Sequence, residues 1–305
     1  MKKIILGLCL ILGINNLYAQ GDLYLFDIEN KEGKYTPEVI EKAFADNGYY
    51  ISANSEMNKP FMIQFQETSF KIFTLLTVFH EELSEKLVKK HPTAGVFVPA
   101  GVGIYQSKDD DFLHVSMLTA QAQEKIVGFK EPLFHQIEKK NLETLKKALP
   151  GAKMHLSEES MKPTGSLVTT FEVETDEDWA DTKEELAMMI EDGFKPYGFV
   201  MSNFTEYNYM LSKEDTVETP FDFYDTYSIC KLKVIYTVSK TRPEAAAFAP
   251  CTMMFYKKKD EDKIVMAFPG VYNWMSSAHV TDAEGKAVLM KAQTDFETIL
   301  QEATE

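Results

Sequence analysis

Cys230 and Cys251 are the residues in the body of the chain best suited to chemistry. A thiol acts as nucleophile, redox centre or metal ligand only once it loses its proton. Met253, Met254, Met266, Met275 and His279 lie near Cys251 in sequence, and thioethers with a thiolate form a donor set that selects Cu(I). Met275 and His279 are four apart and would share a helical face. Met253 and Met254 are adjacent, so on a strand they point to opposite faces. Methionine is also an ordinary core filler, and two buried thiols can serve as small apolar residues. A Cys230–Cys251 disulfide is open to a chain in an oxidising compartment. It would close a loop of roughly 20 residues, worth ~3 kcal/mol in the entropic model. Pairing of strands 227–238 and 247–256 through a short connection would set residue 230 opposite about 255, which works against that bridge.

The other histidines, His80, His91, His114, His135 and His155, form no HExxH pair and no spaced Cys/His set, so no metal site is expected. His80-Glu81-Glu82 reads as a helix start, with acids in the first turn. Asp109 to Asp111 and Asp260 to Asp262 lack the spacing and glycine of a calcium loop and read as solvated hairpin turns. No nucleophile elbow, P-loop or dinucleotide glycine motif occurs, no catalytic residue is assigned, and no cofactor is expected. Phe204, Tyr207, Tyr209, Phe221, Phe223, Tyr224 and Tyr227 crowd one stretch that reads as an aromatic insertion. Aromatic bodies with polar tips suit a pocket, an interface or a loop packed on a sheet. The candidate ligand-binding residues are Cys251, Tyr207, Tyr224 and Tyr256.

These residues need elements to position them, and those come in two copies. At a shift of 151, Phe97-Val98-Pro99 aligns with Phe248-Ala249-Pro250, Tyr105 with Tyr256 and Lys108 with Lys259. The apolar positions Leu113, Val115 and Met117 then meet Ile264, Met266 and Phe268. The helix predicted over 37–47, opened by Thr36 and Pro37 and stopped by Gly48, parallels one over 182–192. Strands are predicted over 23–28, 70–79, 96–105 and 112–117, and helices over 81–90 and 133–149. The second half repeats the series with a strand over 227–238, a hairpin over 247–268 and a closing helix over 283–302. This order gives an α+β fold: two similar domains, each a mostly antiparallel sheet with helices packed on one face. The domains are expected over 20–151 and 166–305, with a linker over 152–165.

Lys2 and Lys3, the apolar run 4–14 and Leu17-Tyr18-Ala19 read as a signal peptide over residues 1–19, so the mature protein is expected in the periplasm or secreted. No later segment has the length or apolarity of a membrane span. The chain has 305 residues and a formal net charge of −15, with 45% hydrophobic residues. A real core is available, and so acidic a chain is not built to hold nucleic acid or anionic lipid.

Gly193-Phe194, Lys231-Leu232 and the run Phe248-Ala249-Pro250-Cys251 with Phe255-Tyr256 resemble the bacterial domain of unknown function 302. Gly48-Tyr49, Lys71-Ile72 and Val96-Phe97-Val98-Pro99 with Ile104-Tyr105 resemble the same pattern in the first half, with Ala100 in place of the cysteine. The Cys-Asn-Pro stretch of many members is missing from both halves. The resemblance implies two tandem α+β domains and no established activity. The expectation is therefore a non-catalytic exported protein that binds a small molecule or an envelope protein in the cleft between its halves. The alternative is a thiol-dependent redox or soft-metal protein using Cys251.

Overall fold

The computed structural model describes residues 21–305 apart from Met161, Pro163, Thr164, Ser166, Asp176, Glu177 and Glu214; the expected signal peptide lies outside the described residues. The first half runs β1 (Leu23–Glu29), α1 (Pro37–Ala45), β2 (Tyr49–Glu56), α2 (Asn58–Phe65), β3 (Phe70–His80), α3 (Glu81–Lys90), a 3-10 segment Pro92–Phe97, β4 (Ala100–Ser107), β5 (Phe112–Leu118), α4 (Ala120–Val127), α5 (Pro132–Ala148) and β6 (Lys153–Leu156). The second runs β7 (Val168–Glu174), α6 (Trp179–Tyr197), β8 (Val200–Thr205), α7 (Tyr207–Leu211), β9 (Phe221–Cys230), α8 (Leu232–Ser239), a 3-10 segment Pro243–Phe248, β10 (Cys251–Lys258), β11 (Lys263–Pro269), α9 (Tyr272–Ser277) and α10 (Ala283–Thr304). Apart from β6, each element has its counterpart in the other half. The fold is α+β, with two antiparallel sheets ordered β2-β3-β4-β5-β1-β6 and β8-β9-β10-β11-β7.

The strand sequences explain the layering. Alternate residues of β4 and β10 face opposite ways, and both faces are apolar, as in strands covered on both sides. One face of the first sheet, with Phe26, Ile104 and Val115, meets Ile40 and Phe44 of α1 and Leu145 of α5. One face of the second, with Met253, Phe255 and Met266, meets Ile190 and Phe194 of α6 and Phe296 and Leu300 of α10. The remaining faces share one core, which joins Phe73, Leu75 and Phe79 to Tyr224, Met254 and Tyr256.

That shared core is built by exchange. Gly95, in the 3-10 segment of the first half, lies so close to Tyr224 that a Cβ there would sit 1.7 Å from the Tyr224 hydroxyl oxygen. Reciprocally, a Cβ on Gly103 of β4 would come within 2.6 Å of Ala246 Cβ. Phe61 and Phe65 of α2 pack on Tyr236 of α8, with ring centroids 5.3 and 3.9 Å away. The Tyr224 hydroxyl donates to Pro92 O at 2.6 Å and Thr252 Oγ1 to Pro99 O at 2.8 Å.

Three expectations change. The stretch 227–238 is not one strand: β9 ends at Cys230 and Leu232–Ser239 is helical. Its β-branched sequence is apolar all round because Val234, Ile235, Tyr236 and Val238 are all buried, and a short apolar run does not by itself separate strand from buried helix. Consequently Cys251 pairs with Ile229, and residue 230 does not fall opposite 255. The aromatic stretch is no insertion, since β8, α7 and β9 are the counterparts of β2, α2 and β3. The stretch expected as a linker opens with β6, which pairs with β1 as an extra edge strand.

Candidate functional site

The ends of β9 and β10 meet the start of α8 beside α9 and α10. There Ile229, Cys251, Val271, Trp274, Ala292 and Phe296 line a partly open, largely apolar cavity of about 50 Å³, with Cys230 and Lys231 also on its wall. That volume exceeds what one water requires, but the wall offers few polar partners to hold water. Cys230 and Pro250 also border a second crevice of about 230 Å³, where Met57 and Leu75 of the first half meet Val200 and Leu232 of the second. These two residues thus stand between the cavity and the seam of the two halves.

Both thiols are free. Burial pushes the Cys230 thiol up to about 12, with Cys251 adding to the shift. Burial likewise pushes Cys251 to about 12, against the opposing hydrogen bond from Trp274. At neutral pH both are therefore neutral thiols, poorly suited to nucleophilic attack or metal ligation. Among the described residues, no group of three or more His, Cys, Asp or Glu side chains is arranged to hold a metal ion.

Lys231 is the one charged residue on the cavity wall among the described residues. It stands at the N-cap of α8. Its ammonium donates to Asp295 Oδ2 at 2.5 Å and lies 4.7 Å from the Phe199 ring centre. Asp295 also accepts from Lys291 at 2.8 Å. Burial works against the Asp295 carboxylate, but the hydrogen bonds from the two lysines outweigh it and hold its pKa below the ordinary range. Gln293 completes the polar wall. Its Oε1 accepts the Val271 N–H at 3.0 Å, and its Nε2 donates to Glu297 and Thr169.

The first half carries the same cavity in smaller form, about 20 Å³. At the corresponding places stand Phe79 for Cys230, His80 for Lys231, Ala100 for Cys251 and Tyr49 for Phe199, as the strand registers require. Glu138 Oε1 accepts the Ala120 N–H at 2.6 Å, as Gln293 does from Val271, so Lys140 holds the position of Asp295. Burial, with Lys140 adding, pushes the His80 pKa down. The two copies of the site are therefore alike in place and different in chemistry.

Of the residues singled out from sequence, Cys251 lines the cavity. Tyr207, Tyr224 and Tyr256 lie together in the core between the halves: Tyr224 stacks on Tyr256 at 5.2 Å, and Tyr207 meets Tyr224 edge-on at 5.8 Å and Phe79 at 5.4 Å. Burial raises the pKa of all three hydroxyls, to about 12 for Tyr256. Cys230, Lys231 and Asp295 join the site only through the β9–α8 junction and the long reach to α10. The adjacency of Cys230 to a lysine was the available sequence signal.

No family model and no curated protein matches the chain. Among solved structures, one neighbour is an uncharacterised conserved protein of domain of unknown function 302 from Bacillus stearothermophilus. It is 13% identical with a TM-score of 0.37, and the match covers 46% of this chain and 100% of that one.

Proposed function

We propose that this chain is an exported, non-catalytic binding protein that takes a small, largely apolar molecule into the cavity at the β9–α8 junction, reached from the seam between its halves. The observation that carries this reading is a largely apolar concavity bearing two neutral thiols, with Cys230 and Pro250 shared between it and an apolar crevice at the seam. Apolar concavity with few polar groups is the usual form of a small-ligand site. Thiol redox or soft-metal chemistry would need thiolates, and burial opposes them here. Export rests on the sequence of residues 1–19. No helix among the described residues is long and apolar enough to cross a membrane.

Native mass spectrometry of protein purified from its expression host, with thiol counting, tests the reading. A retained small organic adduct is expected, with both thiols reacting only after denaturation. Cys251→Met, which extends a side chain into the cavity, is expected to reduce the adduct while the protein still folds. Rapid native reaction of both thiols, or a bound metal in place of an organic adduct, would overturn it.

A further inference from the structure

The cavity wall is largely apolar, and of its two polar side chains, Gln293 and Lys231, only Lys231 is charged. Lys231 is only 15% exposed in its side chain, and its carboxylate partner Asp295 only 8%. Asp295 does not depend on Lys231 alone, because Lys291 holds its other oxygen. Lys231 can therefore exchange Asp295 for a ligand acid without leaving a buried carboxylate unpaired, the outcome that makes breaking a buried ion pair so costly. Glu297, the other acid nearby on α10, is engaged by Gln293 and lies within reach of Thr169 on the β7 side. The N-terminus of α8 adds to the same field: Lys231 makes no side-chain cap and no acid occupies the first turn.

From this we infer that the ligand is an apolar monocarboxylate, its hydrocarbon body in the cavity and crevice and its acid group on Lys231. The inference rests on the apolar-ligand reading and adds the head group. It also assigns the two halves different roles. In the first half His80 replaces Lys231, Lys140 replaces Asp295, and Phe79 and Ala100 replace the cysteines, so the smaller cavity there has neither the fixed ion pair nor the room. One ligand per chain follows, carried by the second half.

The test compares octanoate, octanol and octylamine by titration calorimetry on the full-length mature chain. Octanoate is expected to bind about tenfold or more tightly than octanol, with one site per chain, and octylamine more weakly than either. Lys231→Met keeps the length and apolarity of the stem and is expected to bring octanoate to the level of octanol without weakening octanol. Lys231→Arg is expected to keep the preference. Equal binding of octanoate and octanol by the unaltered protein would overturn the head-group inference and leave the apolar pocket standing. Binding of none of the three, with butanoate and decanoate equally silent, would overturn both. The comparison on the unaltered protein decides the matter even if Lys231→Met does not fold.

Discussion

Asp225 shows how a single residue can be read against its ion pair. It is buried on β9, with Lys183 at 2.6 Å. Burial raises its pKa, and the Lys183 hydrogen bond only partly opposes this. A carboxyl raised in the folded state contributes stability that is full below its unfolded value and lost as pH rises through the folded value. Asp225→Asn is therefore expected to be at least as stable as the parent at pH 7 and to lose that advantage towards pH 3, as read by urea midpoints. The cysteines act at the other end of the scale. Their thiols ionise near 9 when unfolded and at about 12 when folded, so their contribution drains away between those values. A Cys230→Ala/Cys251→Ala variant is expected to lose less stability than the parent between pH 9 and 11. An identical slope would show that the thiols are not shielded. Tyr224→Phe removes a hydroxyl that donates to Pro92 O and leaves that carbonyl without its partner. A loss of ~1–3 kcal/mol is expected in chemical denaturation.

At the scale of elements, the two 3-10 segments are the parts most sensitive to size. Ala246→Leu would cost an isolated helix little, yet here it drives a branched side chain into Gly103 and β4. A loss of ~1–3 kcal/mol is expected, visible as an earlier thermal or urea transition. Tyr236→Ala on α8 should cost more, ~3–5 kcal/mol, because it strips the stack on Phe65 and Phe61. These elements also mark the boundary of what the sequence discloses. The repeat at Phe97-Val98-Pro99 and Phe248-Ala249-Pro250, and the α3 helix from Glu81 to Lys90, are legible because local pattern and position agree. Leu232–Ser239 is not, because its helical state is decided by burial from several sides, which a period-two or period-3.6 pattern does not record. The same gap hid most of the site. Cys251 stood out by type, whereas Lys231 and Asp295 are 64 positions apart and are joined only by the packing of α8 on α10. The tyrosines stood out by type as well, but their surroundings are set by the other half.

For the whole molecule, the shared core makes the halves one cooperative body. Urea unfolding is expected to follow a single transition with coincident fluorescence and circular dichroism curves. A protease site inserted after Lys162 and cleaved in the native protein should leave two fragments that stay together on gel filtration. Either half expressed alone is expected to aggregate, because the sheet face bearing Phe73 and Leu75, or Tyr224 and Met254, has no cover. A tie between Asp22 and Ser277 extends this. Asp22 is fully buried, held by Lys125 at 2.7 Å and by the Ser277 hydroxyl at 2.8 Å. Asp22, just before β1 of the first half, is thus held by a residue of the second half that is made some 255 positions later. At ordinary rates of synthesis the second half needs on the order of ten seconds to appear. For that interval the finished first half waits with an uncovered apolar face, so the newborn protein depends on whatever shelters it until its own second copy arrives.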